Sequence, residues 1–106
     1  MNSISVTDLS EKMRSGEPPH LLDIREPYER EICHISGSDF LPMKKAAANP
    51  SEIPKNKTTV IYCHHGIRSY ILIKHLQEKY GFENLVNLDG GINQWALQVD
   101  GDMPRY

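Results

Sequence analysis

Two short apolar runs constrain the fold of this chain most, because neither alternates with polar residues as a half-exposed strand does. They are Leu21 to Ile24 and Thr59 to Tyr62. Near-continuous apolar character is typical of strands that are buried on both faces. A third strand is predicted at Leu85 to Leu88, and segments with helical spacing separate the runs. Strands that alternate with helices predict an α/β protein with a parallel sheet covered on both faces.

The helices between these strands have recognisable ends. Thr7 is predicted to be the N-cap of a first helix over 8–14. A longer helix is predicted over 69–79, closed by Gly81, and a last helix is expected to carry Trp95 into the core. With 106 residues and no repeat, we expect residues 1–106 to form one domain.

Composition excludes several classes of function. The formal net charge is −2, whereas nucleic-acid-binding proteins usually present a basic face. No segment approaches the about 18 apolar residues of a membrane span, and the first residues lack a secretory signal. Only two cysteines occur, Cys33 and Cys63, too few for a disulfide scaffold. We therefore expect a cytoplasmic protein with free thiols and neither a nucleic-acid nor a membrane partner.

Polar residues follow three of the predicted strands. They lie in segments 23–26, 63–69 and 89–91. Ligands of open parallel sheets bind outside the carboxyl ends of the strands. We therefore expect these three segments to meet at one face.

The segment that begins at Cys63 has an unusual charge pattern. From Cys63 to His75 it carries Arg68, Lys74 and three histidines but no acid. A helix N-terminus favours negative charge, so an anion bound in the loop would balance this pattern. Backbone N–H groups of the turn are expected to form the anion site, with Gly66 allowing a close approach. The same field favours the thiolate form of Cys63, which is the nucleophilic form. These residues alone leave open whether the anion contains sulfur or phosphorus.

Three sequence blocks resemble a single rhodanese-like domain over roughly 4–95. The blocks are Leu22–Glu29 with His34–Ser38, Cys63-x-x-Gly66-x-Arg68-Ser69, and Leu88-Asp89-Gly90-Gly91-Ile92-x-x-Trp95. The resemblance implies a three-layer α/β fold in which helices flank a five-stranded parallel sheet on both faces. It also implies a sulfurtransferase without a cofactor or metal, in which Cys63 takes a sulfane sulfur and passes it to a thiophilic acceptor. The residues implied to bind the substrate are His64, His65, Gly66, Ile67, Arg68 and Ser69.

The resemblance also bears on substrates and partners. The loop from Cys63 to Arg68 counts six residues, the sulfurtransferase size, whereas phosphatases or arsenate reductases of the same fold have a longer loop. Thiosulfate-using members often carry Arg where this chain has His64, which favours a persulfide or a partner protein as donor over a small sulfur-containing anion. The tail 99–106 is similar to rhodanese domains fused behind adenylyltransferases, which supply sulfur-carrier proteins. A non-catalytic binding or regulatory module is the alternative.

The remaining candidates have structural alternatives. Asp23 and Arg25 are predicted to contact the residues of the Cys63 loop and hold them in place. The alternative is an ion pair that stabilises the turn after the strand at Leu21 to Ile24. Cys33 is interpreted as a packed structural thiol. A zinc site from Cys33, His34, Cys63 and His64 would lack the usual closely spaced cysteine pair, so no metal is expected.

Overall fold

Five parallel strands form the centre of the computed structural model, which describes residues 2–106. The strands are β1 (Ser3–Ile4), β2 (His20–Asp23), β3 (Asp39–Phe40), β4 (Thr59–Tyr62) and β5 (Leu85–Leu88). Their order across the sheet is β1-β5-β4-β2-β3, and every neighbouring pair is parallel. The predicted parallel α/β architecture is confirmed.

Helices cover both faces of this sheet. They are α1 (Val6–Arg14), α2 (Pro27–Ile32), α3 (Met43–Ala48), α4 (Ile67–Tyr80) and α5 (Gly91–Gln98), with a short 3-10 helix at Pro50–Glu52. α1 packs with α5 on one face, and α3 packs with α4 on the other. Within residues 2–106, none of these helices has the length and apolar character that crossing a bilayer requires.

The two central strands fill cores on both sides of the sheet. Leu21 and Val60 join the core beneath α1 and α5, whereas Leu22 and Ile61 join the core beneath α3 and α4. All four side chains are at most 4% exposed. Each face therefore needs an apolar residue at each position, which explains why these strands do not alternate with polar residues.

The first helix begins earlier than the sequence predicts. Ser5, not Thr7, is the N-cap, because the Ser5 Oγ accepts a hydrogen bond from the backbone N–H of Asp8 at 3.1 Å. The Thr7 hydroxyl lies 3.2 Å from the same Ser5 oxygen. The prediction at Thr7 was wrong because both hydroxyls suit a cap, and only the backbone geometry decides between them.

The segment that begins at Cys63 lies between β4 and α4 and is held by the start of α5. The backbone N–H of Ile92 donates to the Cys63 carbonyl, and the N–H of Asn93 donates to the His64 carbonyl, both at 3.0 Å. Gly91 has a φ of +58°, and an added Cβ would lie 2.5 Å from each of these two carbonyl oxygens. The close contact with the Cys63 segment therefore requires glycine at position 91.

A Gly91→Ala variant should test how tightly this contact is built. Gly16→Ala is the matched control, because Gly16 also has a positive φ (+86°) but has open space around its missing Cβ. Left-handed backbone strain costs about 1–2 kcal/mol in either variant. We expect Gly91→Ala to lose about 1–3 kcal/mol more, the usual cost of overpacking. Urea unfolding measures the difference, and equal losses would contradict the contact.

Candidate active site

The Cys63 sulfur lies where β4 ends and before α4 begins, and the residue is 1% exposed. Its Sγ accepts hydrogen bonds from the backbone N–H groups of Gly66 at 3.2 Å and Ser69 at 3.4 Å. N–H donors that point at a sulfur stabilise its anionic form, and the helix dipole acts in the same direction. The geometry therefore suits a thiolate and, by the same reasoning, another anion bound in the loop.

A buried side-chain network fixes the loop beside this sulfur. The Ser69 Oγ lies 3.4 Å from the Cys63 Sγ and donates a hydrogen bond to the Asn87 Oδ1. The Asn87 amide nitrogen donates in turn to the Gly66 carbonyl at 3.2 Å. Asn87 was not identified from the sequence, although an amide within an otherwise apolar, buried strand was a visible signal.

Arg68 is paired with an acid from a different helix. Its guanidinium donates two hydrogen bonds to the Glu29 carboxylate, at 2.7 and 2.9 Å. Glu29 lies on α2 and is 2% exposed. The segment from Cys63 to His75 contains no acid, which led to the expectation that a bound anion would balance Arg68. That expectation is incomplete, because Glu29 from α2 already supplies a counter-charge.

The Glu29 carboxylate accepts two further hydrogen bonds. It accepts hydrogen bonds from the backbone N–H of Glu26 at 3.0 Å and from the Tyr106 hydroxyl at 2.6 Å. Burial raises the pKa of Glu29, but the hydrogen bonds from Arg68, Glu26 and Tyr106 outweigh burial and lower the pKa to about 2. The hydrogen bond to Glu29 likewise raises the pKa of Arg68. Both groups are therefore charged at neutral pH.

Asp23 and Arg25 form a second, fully buried ion pair. Arg25 donates to the two carboxylate oxygens of Asp23 at 2.9 and 2.8 Å. It also donates to the Tyr106 hydroxyl at 2.7 Å and to the Cys33 carbonyl at 2.6 Å. Among residues 2–106, the structure shows no hydrogen bond from either side chain to the Cys63 loop. The two residues therefore support Tyr106 and the α2 turn rather than reaching the sulfur directly.

The loop histidines differ in their surroundings. The His64 ring stacks on the Tyr106 ring, with 3.8 Å between ring centroids and 7° between planes. The His65 ring lies 4.0 Å from His64 but is exposed. Burial, the neighbouring His65 and nearby arginines lower the pKa of His64. His64 is therefore protonated to a smaller extent near pH 7 than an ordinary histidine. Ile67 is 68% exposed.

The remaining candidates are outside the loop. Cys33 is a buried free thiol, and Cys63 is also free. In the described chain, 2–106, no three His, Cys, Asp or Glu side chains gather in a cluster that could hold a metal ion. Trp95 and Ile92 lie in the core beneath α1 and α5.

Fold and site together define a class of protein. A cysteine at the carboxyl end of a central parallel strand, with its sulfur facing backbone amides at a helix start, is an arrangement for thiol-based chemistry on anions. The profile of the rhodanese-like domain family matches residues 5–98. The chain therefore belongs to the rhodanese-like domain family.

Known proteins of similar sequence carry sulfurtransferase names. A "Sulfurtransferase" from Allochromatium vinosum is 38% identical over 96 residues, covering 91% of this chain and 89% of the relative. A "Probable adenylyltransferase/sulfurtransferase MoeZ" from Mycobacterium tuberculosis is 36% identical over 109 residues and covers 99% of this chain. The aligned part is only 27% of that relative. The chain thus spans about a quarter of the length of some relatives it matches.

Solved structures share the fold. A rhodanese-like domain protein from Staphylococcus aureus superimposes with a TM-score of 0.83 and is 27% identical, covering 100% of this chain and 99% of the other. This similarity agrees with the five-stranded α/β fold described above.

The Glu29–Arg68 pair gives a prediction about acid stability. The pKa of Glu29 falls from an ordinary 4.5 to about 2 on folding. Its contribution is therefore present above pH 4.5 and is lost as pH falls toward 2. We expect Glu29→Gln to lower the free energy of unfolding at pH 7 by on the order of 2–3 kcal/mol.

The difference in unfolding free energy between Glu29→Gln and wild type should become smaller at acidic pH. Below the pKa of Glu29 in the folded protein, wild type carries a neutral carboxyl that resembles the glutamine. The difference in unfolding free energy should therefore shrink as pH falls from 4.5 to about 2. Exposed Glu83 is the control position, where a Gln variant should stay within about 0.5 kcal/mol of wild type at every pH. A Glu29→Gln difference that is independent of pH would contradict the assigned pKa.

Proposed function

We propose that this protein is a sulfurtransferase that carries sulfane sulfur as a persulfide on Cys63. The observation that supports this most is the Cys63 Sγ facing the N–H groups of Gly66 and Ser69 at 3.2 and 3.4 Å. Membership of the rhodanese-like family and the sulfurtransferase names of relatives point the same way. We assign the loop amides from His64 to Ser69 to binding the persulfide and the donor anion.

The first half-reaction is a displacement at sulfur. The Cys63 thiolate attacks the outer sulfur of a donor persulfide, R–S–S⁻, and a new S–S bond forms on Cys63. The donor's S–S bond breaks, and its electron pair leaves on R–S⁻. With thiosulfate as donor, sulfite is the leaving group. The product in either case is Cys63–S–S⁻, whose charge the loop amides stabilise.

The second half-reaction returns Cys63 to the thiolate. A thiophilic acceptor attacks the outer sulfur, and the electron pair of the S–S bond returns to the Cys63 sulfur. Cyanide would give thiocyanate, and a thiolate would give a new persulfide. Electrons and atoms balance within these two steps, so the reaction needs no cofactor. A reducing compartment such as the cytoplasm suits it, because both cysteines are free thiols.

Charge balance around the loop favours a persulfide or a partner protein as donor over thiosulfate. Glu29 neutralises Arg68, and His64 is mostly uncharged at pH 7 because its pKa is lowered. The loop therefore offers mainly backbone dipoles, which hold a dianion less strongly than free cations do. A Bacillus subtilis relative named "Putative sulfur carrier protein YrkF" supports a sulfur-carrier protein as our candidate acceptor.

Sulfur loading tests the proposal directly. Incubation with glutathione persulfide or thiosulfate, followed by intact mass measurement, should add one sulfur atom to wild type and none to Cys63→Ser. Cys33→Ser is the matched control and should load like wild type, because no backbone N–H within residues 2–106 donates a hydrogen bond to the Cys33 sulfur. Subsequent cyanide should remove the added sulfur as thiocyanate.

Three results would overturn the proposal. Equal loading of Cys63→Ser and wild type would place the sulfur elsewhere. A wild-type protein that gains no sulfur from either donor would favour a non-catalytic binding module. Cys63-dependent turnover of a phosphotyrosine analogue without sulfur loading would favour phosphatase chemistry, against which the six-residue loop from Cys63 to Arg68 argues.

A further inference from the structure

The Tyr106 hydroxyl lies between the two ion pairs that surround the reactive loop. It accepts a hydrogen bond from Arg25 at 2.7 Å and donates one to Glu29 at 2.6 Å. Glu29 is also the residue that holds Arg68. A single phenol oxygen therefore links the buried Asp23–Arg25 pair to the Glu29–Arg68 pair. Such linked polar networks are stiffer than their separate hydrogen bonds.

The ring of the same residue contacts the reactive loop. It stacks on His64, the residue that follows Cys63, at 3.8 Å between centroids. With ring planes 7° apart, the His64 imidazole lies parallel to the phenol ring. Tyr106 thus contacts one side chain of the loop directly and a second, Arg68, through Glu29.

The segment that contains Tyr106 packs against His64 and α5. Pro104 to Tyr106 lines a cavity of about 10 Å³ together with His64 and the first turns of α5, among them Ile92 and Asn93. A space of that size holds at most one water molecule. The position of the ring is therefore set by contact with α5 as well as by its two hydrogen bonds.

From these contacts we propose that Tyr106 is a positioning residue of the reactive loop. Its ring fixes the His64 imidazole beside Cys63, and its hydroxyl fixes the carboxylate that orients Arg68. The inference rests on the proposed sulfur transfer for its kinetic consequence, but the positioning itself is a property of the folded protein. Tyr106, which is distant in the chain, thereby orients the side chains of His64 and Arg68 toward the sulfur donor.

The charged and titratable groups that face His64 come from several elements. They belong to the loop, the β2–α2 turn, α2 and the segment after α5, and they are His65, Arg68, Arg25, Glu29, Cys33, Arg105 and Tyr106. Burial is the largest of the effects that lower the pKa of His64. Since the stacked Tyr106 ring covers one face of the imidazole, its removal should expose His64 to water and raise this pKa.

Two variants of Tyr106 separate the hydroxyl from the ring. Tyr106→Phe removes the two hydrogen bonds but keeps the stack, whereas Tyr106→Ala removes both. Tyr70 is the control position because it is similarly exposed (47% against 38%). The structure shows no side-chain hydrogen bond for it among residues 2–106. Tyr70→Phe and Tyr70→Ala should behave like wild type.

The first readout is the NMR titration of the His64 ring, which needs no activity. We expect wild type and Tyr106→Phe to share a lowered His64 pKa. Tyr106→Ala should shift it upward toward the ordinary value near 6.5. An unshifted His64 titration in a folded Tyr106→Ala protein would overturn the contact between ring and imidazole.

The second readout is the rate of sulfur loading on Cys63 from glutathione persulfide. Tyr106→Phe removes two hydrogen bonds but acts on the loop only through Glu29. We therefore expect kcat/KM to fall about fivefold, the factor that corresponds to about one net hydrogen bond, and to fall further in Tyr106→Ala. If Tyr106→Ala fails to fold, Tyr106→Phe still decides. Wild-type loading by both variants, or an equal loss in Tyr70→Phe, would overturn the proposal. A wild-type protein that never loads would instead reject sulfur transfer, while the His64 titration would still test the positioning.

Discussion

The buried carboxylate of Glu29 is the group on which the rest of the site depends. It binds the Arg68 guanidinium through two hydrogen bonds and accepts two more, from Glu26 and Tyr106. An isolated buried carboxylate is strongly unfavourable, and these donors together keep Glu29 charged. In satisfying Glu29, the chain brings α2, the start of α4 and the segment after α5 to one place. These elements surround the Cys63 loop on the side where Arg68 and His64 lie.

Within the loop, backbone groups matter more than side-chain charge. The Cys63 sulfur faces two N–H groups, while the carbonyls of Cys63 and His64 accept hydrogen bonds from the start of α5. The loop thus directs backbone N–H groups toward the sulfur, while two of its carbonyl groups form hydrogen bonds with α5. With Arg68 already paired to Glu29, selectivity for the ligand would come from the geometry of the amides. This suits a small, singly charged persulfide.

Some of this structure is local in the sequence and could be predicted. The strands were found because burial on both faces demands apolar residues at successive positions, as in Leu21 and Leu22. The loop at Cys63 was found because a helix start without acids conflicts with the helix dipole. Fold class and family followed from these features and from the three sequence blocks. The cap at Ser5 was missed because two hydroxyl residues lie within one turn.

The contacts that complete the site are not local, and sequence reasoning missed them for that reason. Arg68 and Glu29 are 39 residues apart, and Tyr106 and Glu29 are 77 apart. No periodicity links such positions, and the chain offers 14 acids as partners for Arg68. Asn87 was closer to being recognisable, since a polar residue in a buried strand needs hydrogen-bond partners. Its partners, Ser69 and Gly66, become evident only when β5 is placed beside β4.

The proposed function requires the loop amides to hold a sulfur anion carried by Cys63. A crystal structure of the protein after loading with glutathione persulfide would show this sulfur directly. We expect an added sulfur bonded to the Cys63 Sγ, inside the loop and within hydrogen-bonding distance of backbone N–H groups between His64 and Ser69. An added sulfur on Cys33, or one on Cys63 that points away from these amides, would contradict it.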